Sequence, residues 1–409
     1  MLADGFMEFL IPSRLGRPSD DPIFALNTEA KARAAKGEKV VNATVGALLD
    51  DDGRLAVLDG MSAAIREVSA RDAAGYAPIA GSAPFLKGVA ADLLGDRAMA
   101  VETAAVATPG GTGALRHVIA SFLEPGQALL TTSFFWGPYK TLADENGRTL
   151  RTFRQFDEQG RLDLEDLDRK LGQIVEDQGR ALLLVNSPCH NPTGYSFDAG
   201  EWRALGDIVA RRSAAGPITL CLDVAYAKFG DGSLDLAIEE MLRLPPSVLP
   251  TFAWSSSKSF LQYGLRVGAL VAVHRDVELV RRVQNALSYA CRGTWSNVNA
   301  AGMIAIGKVF GDKAQREAID QERAQWASVL KSRVARWNAL ARPAGLKYPR
   351  YDGGFFTTVF TERAHEIAEA LKVDGVFVVP QEGALRVALC SVAERDIERM
   401  VSAIAKRIG

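Results

Sequence analysis

Through the middle of the chain, short runs of apolar and β-branched residues alternate with segments whose apolar positions recur near the helical period. That alternation is the pattern of a mostly parallel sheet with helices on its faces, so the predicted class is α/β. Strands are predicted over residues 128–133, 181–186, 218–223, 252–255 and 267–273, each short and bounded by turn or polar residues. Helices are predicted over 114–122, directly after a glycine cluster, over 164–176 and over 277–290. From about residue 332 the order changes to helix, strand 354–360, helix 362–371, strands 375–379 and 384–389, and a terminal helix 394–407. This reads as a compact α+β unit, and the helix expected over 24–36 packs with it. The expected division is a large domain over 51–330 and a smaller one formed by 1–50 and 331–409. No internal repeat is visible.

Composition narrows the class. A chain of 409 residues exceeds the ~250–300 at which one core stops growing, which agrees with two domains. Hydrophobic residues at 48% and charged residues at 24% exclude a disordered or fibrous chain. Lysine plus arginine (48) nearly cancels aspartate plus glutamate (49), which argues against a nucleic-acid binder or a polybasic membrane-surface protein and points to small-molecule partners. Cys189, Cys221, Cys291 and Cys390 form no CxxC pair and read as buried thiols of a reducing compartment. Residues 1–8 lack a basic segment followed by an apolar run, and no apolar stretch approaches the ~18 residues of a membrane span, so the cytoplasm is expected.

Four clusters fall at strand ends, where the loops of an open parallel sheet converge on a ligand. In Ala253-Trp254-Ser255-Ser256-Ser257-Lys258-Ser259-Phe260 a lysine follows a strand among hydroxyls, and Arg266 stands eight residues further on. A lysine amine is a nucleophile only when neutral, which desolvation or nearby positive charge brings about. The hydroxyls and the arginine suit a phosphate dianion. The same segment also reads as a solvated loop lysine with capping serines. Thr108-Pro109-Gly110-Gly111-Thr112-Gly113-Ala114-Leu115-Arg116 is a glycine-rich turn opening a helix, able to cradle phosphate or simply to pack closely. Its spacing is neither GxGxxG nor GxxxxGK. Asn186-Ser187-Pro188-Cys189-His190-Asn191-Pro192-Thr193-Gly194 is a strand end entering a proline-rich turn. Leu222-Asp223-Val224-Ala225-Tyr226 puts an acid at the end of an apolar strand, where it needs a cation, or caps a helix, or meets a structural arginine.

In this order, on successive strand ends, the glycine turn, the Asn-Pro-Thr-Gly turn, the Asp-x-x-Tyr and the Ser-x-Ser-Lys resemble the fold-type-I pyridoxal-phosphate (PLP) aminotransferases of the aspartate and aromatic branch, from roughly Asp20 to the C-terminus. The resemblance implies the PLP-dependent transferase fold of type I, with a mostly parallel seven-stranded sheet in the large domain, and pyridoxal 5'-phosphate as cofactor. It implies that Lys258 holds the cofactor as a Schiff base and moves the proton at Cα, and that Asp223 pairs with the pyridinium nitrogen. Asn191 and Tyr226 would hydrogen-bond the phenolic oxygen, and Trp136 would stack on the ring and, with Asn191 and Gly46, border the substrate. Phosphate would fall to Gly111, Thr112, Ser255, Ser257 and Arg266, with Tyr76 reaching in from the other subunit of a homodimer with shared active sites.

For the substrate, Arg386 matches the clamp of the α-carboxylate; in Ala384-Leu385-Arg386-Val387-Ala388-Leu389 it is the charged residue of an otherwise apolar strand. Val45 and Gly46 match a loop that closes over the substrate. Arg292 matches the residue that crosses the dimer to a distal carboxylate, and enzymes that accept aromatic donors keep it and swing it aside. The implied function is transfer of an amino group between aspartate, glutamate or an aromatic L-amino acid and a 2-oxo acid such as 2-oxoglutarate. Departures leave the donor open: Thr294-Trp295-Ser296-Asn297-Val298-Asn299 lacks the usual Ser-Asn-Pro-Pro, and Tyr139 stands where aspartate-specific enzymes commonly carry histidine. Phe355, Phe356 and Trp295 read either as a roomier apolar pocket or as plain core.

Several rivals remain. A β-lyase, a decarboxylase or a cyclising enzyme would start from the same linkage, and the paired arginines favour transamination. A PLP-binding sensor would carry a fused DNA-binding module, for which the first 50 or so residues are too short. A nicotinamide dehydrogenase would need GxGxxG after an early strand. His117, His190, His274 and His365 are isolated from one another, so no metal site is expected.

Overall fold

The computed structural model describes residues 9–18, 22–230 and 233–409; the opening octet read above for a leader, and Asp20, lie outside them. Strands are numbered along the chain. The central sheet holds β2 (Glu102–Thr108), β3 (Ala128–Thr132), β4 (Thr149–Phe153), β5 (Ala181–Asn186), β6 (Ile218–Asp223), β7 (Val248–Ser255) and β8 (Gly268–His274), preceded in the chain by β1 (Val41–Asn42). Its order is β2-β8-β7-β6-β5-β3-β4, and only β8 runs against its neighbours. This is the mostly parallel α/β sheet that the sequence pattern implied, with the seven strands that the family resemblance implied.

The two strands read most accurately, β5 and β6, are the ones buried along their whole length. Their successive residues feed opposite faces: Leu183, Val185, Leu220 and Leu222 join one core, and Leu182, Leu184 and Cys221 join the other. A strand covered on both sides reads as a near-continuous apolar run, and these do, interrupted only by Thr219 before their polar last residues Asn186 and Asp223. The strands missed from the sequence, β2 and β4, are the sheet's edges; β4 alternates exposed and half-buried positions before Phe153, which dilutes its apolar signal. β7 begins four residues before its expected start, at Val248, with Pro250 inside it. Pairing with β8 starts only at Thr251, so the missing proline N–H costs no bond to that neighbour.

Helix boundaries follow side-chain chemistry. Leu164–Gln178 starts where the Asp163 side chain accepts from the Asp166 N–H and stops at Gly179, which takes the left-handed conformation at φ 69°. Ala199–Arg212 opens with a reciprocal capping box between Asp198 and Glu201. The helix Lys313–Ala341 is longer than expected and passes without a break through residues 330 and 331.

Beyond it, β9 (Phe356–Phe360), β10 (Val376–Phe377), β11 (Val379–Gln381) and β12 (Ala384–Ala388) form two small sheets: β11-β12-β9, antiparallel, and a parallel pair of β1 with β10. The β1–β10 pair ties the amino-terminal segment to the carboxy-terminal one. Arg333, fully buried in the long helix, adds a second tie by donating to the carbonyls of Leu49 and Cys390. No helix of the described residues is long and apolar enough to cross a membrane.

Register decides what the central sheet can do. Thr108 and Ser255 both lie opposite Gly268, Asn186 lies opposite Asp223, and Asp223 lies opposite Ala253. The ends of β2, β5, β6 and β7 and the start of β8 therefore form one rim, and every cluster singled out in the sequence opens from it. Truncating Leu184, fully buried in β5, should cost about 2–5 kcal/mol of stability in denaturant unfolding. The equally apolar but exposed Val277 should tolerate alanine to within about 0.5 kcal/mol; equal costs would mean that the two-sided core is misassigned.

Candidate active site

A cavity of about 210 Å³ opens at this rim, lined by Gly111, Thr112, Leu115, Trp136, Asn186, Asn191, Asp223, Ala225, Tyr226, Ser255, Ser257, Lys258 and Arg266. Lys258 sits on the one-turn helix Ser256–Ser259 that caps β7, with the Ser255 side chain accepting from the Ser257 N–H. Its Nζ lies 5.3 Å from the ring centre of Tyr226 and 5.6 Å from that of Tyr263. Desolvation in this setting lowers the amine's pKa to about 8; the negative charge of Asp223 works against that and the positive charge of Arg266 works with it. The neutral amine is thus far more abundant near physiological pH than in an ordinary lysine, though the ammonium still predominates below pH 8.

Asp223 ends β6 inside the same cavity and is the only acid lining it among the described residues. The Tyr139 phenol donates to Oδ2 at 2.7 Å and the Ala225 N–H to Oδ1 at 3.1 Å. Burial holds the carboxyl above its ordinary range, opposed by these hydrogen bonds and by the charge on Lys258. Asn186 locks the neighbouring strand end: its Nδ2 donates to the Asp223 carbonyl at 2.8 Å and its Oδ1 accepts the Asn191 N–H at 2.7 Å. Asn191 in turn donates to the Tyr226 hydroxyl at 3.2 Å, while its own Oδ1 is buried with no partner among the described residues. An amide with one end unpaired inside a cavity has capacity for a ligand atom.

The other end of the cavity is rich in hydrogen-bond donors and carries no acid among its described lining residues. The helix Gly110–Phe122 begins inside the glycine cluster, earlier than expected, and has no side-chain cap, so its first N–H groups are free to bind an anion. Arg266 donates to the Ser257 hydroxyl at 3.2 Å and lies close against that turn. A Cβ on Gly110 would come within 2.5 Å of the guanidinium, and Gly110 also takes φ +67°, so glycine is required there twice over. With Gly111, Thr112, Ser255 and Ser257 alongside, this end matches a dianion such as phosphate.

The remaining expected residues divide into two groups. Trp136 lines the cavity and meets Tyr139 edge to face at 5.6 Å. Arg386, buried on β12, donates to the Thr44 carbonyl at 2.6 Å and lies over the Phe356 ring at 4.8 Å. Phe356 touches Tyr226 edge to face and fills the space where a Cβ on Gly46 would be, so Gly46, Phe356 and Arg386 form one layer beside Tyr226. Tyr76, 96% exposed, and Arg292, exposed and hydrogen-bonded to its own Ser296, do not line the cavity of this chain. Trp295 stacks on His117 at 4.2 Å behind the glycine turn, while Phe355 and Phe356 are buried core neighbours of Tyr226.

Asn186, Leu115 and Ala225 line the cavity without having been singled out; Asn186, a polar residue closing an apolar strand, was the signal available. Among the described residues no group of His, Cys, Asp or Glu is arranged to hold a metal ion. All four cysteines are buried, and none forms a disulfide among the described residues.

The sequence pattern of the aminotransferase class I and II family matches residues 38–404. The aspartate aminotransferase of Pseudomonas aeruginosa is 27% identical over 403 residues, covering 94% of this chain and 96% of that protein. Among solved structures, an aminotransferase from Anaerococcus prevotii superposes with a TM-score of 0.94 at 32% identity, covering 98% of this chain and 100% of the other. An aromatic-amino-acid aminotransferase from Burkholderia pseudomallei, solved covalently bound to pyridoxal phosphate, shares the fold at a TM-score of 0.81 and 22% identity, over 97% and 99% of the two chains.

The perturbed amine is directly measurable. In the protein free of small molecules, labelling of Lys258 by an amine reagent, read by peptide mass, should be half-maximal near pH 8 and faster above it, since the neutral form reacts. Asp223→Asn should move that midpoint down and Arg266→Ala should move it up; a wild-type midpoint near 10.5, the ordinary lysine value, contradicts the enclosed amine.

Proposed function

Since this chain belongs to the class I and II aminotransferase family, we propose that it exchanges an amino group between aspartate, glutamate or an aromatic L-amino acid and a 2-oxo acid such as 2-oxoglutarate, in a ping-pong cycle. The enzyme is a pyridoxal-phosphate-dependent aminotransferase. One observation carries the assignment of the site: a lysine whose pKa is lowered by burial, a buried carboxylate and an acid-free anion cup share one cavity, and an aldehyde, a pyridine nitrogen and a phosphate are the three groups they suit.

Bound there, pyridoxal phosphate supplies an electron sink for the bonds at the substrate's Cα. Lys258 Nζ would bond the cofactor carbonyl and, once released, take and return the proton at Cα. Asp223 would hold a proton on the ring nitrogen, Asn191 and Tyr226 would donate to the phenolic oxygen, and Trp136 would cover the ring. Gly111, Thr112, Ser255, Ser257 and Arg266 would bind the phosphate. Arg386, beside Tyr226, would receive the α-carboxylate, and Gly46 with Val45 would close over it and exclude water.

We assign Tyr76 and Arg292 to the partner's site in a homodimer: both stand exposed on the surface of this chain, which is where residues that serve a second subunit must be. The proposed domains are 51–330 and the combined 1–50 and 331–409. Four buried thiols without a disulfide among the described residues favour a reducing compartment, the cytoplasm.

The holoenzyme should lose its visible absorbance on addition of a single true donor, with no second substrate. Borohydride reduction should leave a pyridoxyl mass on the Lys258 peptide; its absence there sinks the reading. Arg386→Ala should weaken every substrate about 100-fold or more, the value of a doubly hydrogen-bonded carboxylate. Arg292→Ala should harm aspartate and glutamate and spare the aromatics, and equal effects on both classes would remove its distal role.

A further inference from the structure

The strand-end acid Asp223 is gripped by a residue that sequence order puts 84 positions away. Tyr139 is 1% exposed, and its hydroxyl is the only side-chain donor to the Asp223 carboxylate among the hydrogen bonds of the described residues. It lies in the first turn of the helix Pro138–Glu145, and its backbone N–H bonds back to the Trp136 carbonyl at 2.9 Å. The same turn therefore carries both Trp136, on the cavity wall, and the phenol that reaches under the cavity floor. Ring packing stiffens it: Tyr139 stacks on Phe135 with 10° between planes and receives Trp136 at 86°.

The carboxylate's inventory explains why one phenol matters. Each Asp223 oxygen accepts one protein hydrogen bond, Oδ2 from Tyr139 and Oδ1 from the Ala225 N–H, which leaves each a lone pair for a ligand in the cavity. A carboxylate accepting on both oxygens cannot rotate about its Cβ–Cγ bond without losing a buried bond. The titratable groups that face it are Tyr139, Tyr226 from the loop after β6, Cys221 on β6 and Lys258 after β7. Both phenols and the Cys221 thiol are pushed upward by burial, the thiol to about 12, so Tyr139 stays a donor at every physiological pH.

We propose that Tyr139 is a positioning residue of this site: its phenol orients the Asp223 carboxylate toward the cofactor's ring nitrogen, and the turn it shares with Trp136 holds acid and ring wall in one rigid unit. The proposal rests on the cofactor assignment above. Tyr139 acts through Asp223 and touches no reacting atom.

Tyr139→Phe keeps the ring packing and removes only the donor. Apoprotein, wild type and variant, is titrated with pyridoxal 5'-phosphate and with its 1-deaza analogue, in which C–H replaces the ring nitrogen. The variant should bind the natural cofactor about 10- to 100-fold more weakly, the range for a hydrogen bond to a charged group, and the analogue no more weakly than wild type does. Equal weakening of both ligands would show a merely structural role, and unchanged affinity for both would overturn the proposal outright. Should the variant not fold, 3,5-difluorotyrosine at position 139, nearly isosteric and a stronger donor, replaces it: a changed affinity for pyridoxal phosphate alone supports the proposal, and no change ends it. A wild-type protein that takes up no pyridoxal phosphate defeats the functional reading itself, a result separable from either variant's.

Discussion

Everything at this site depends on keeping a carboxylate ionised in a place largely withdrawn from water. Asp223 sits at the end of a fully buried strand, and burial alone drives such a group toward its neutral form. Two hydrogen bonds and the positive charge of Lys258 push back. The lysine feels the reciprocal pull, because desolvation favours the free amine while Asp223 favours the ammonium. Neither group's protonation state is its own property; each is set by the other across one cavity.

That coupling requires tight geometry, and the sheet supplies it through register. Because Asn186, Asp223 and Ala253 align across β5, β6 and β7, the acid and the lysine-bearing turn leave the sheet at the same level. Because β8 runs backwards, its first residue, Gly268, meets the end of β2, and Arg266 just before it reaches the glycine turn. A Cβ on Gly268 would lie 2.5 Å from the Gly110 backbone, so close approach of two strand ends is what builds the anion cup. A one-residue slip in either pairing would send these side chains to the opposite face.

Much of this was legible beforehand, for reasons that differ by element. β5 and β6 were readable to the residue because a strand buried on both faces is predominantly apolar, and here a polar residue, Asn186 or Asp223, marks the end of each. β2 and β4 were not, because an edge strand satisfies its environment with alanines, threonines and an arginine that carry little strand signal. The glycine turn, the strand-end acid and the lysine stood out because polar residues that interrupt apolar runs need a reason to be there. Arg386 stood out on the same ground, yet nothing local announced that its guanidinium would meet the Thr44 carbonyl and the face of Phe356.

The sequence by itself determined the class of fold, the order of its elements and the residue types available for chemistry, because hydrophobic period and turn chemistry are local properties. Tertiary structure alone decided which of those residues meet: Tyr139 with Asp223 across 84 positions, Arg386 with Thr44 across 342. It also decided the protonation of Lys258, since desolvation and the field of a neighbouring charge exist only once the chain has closed around them.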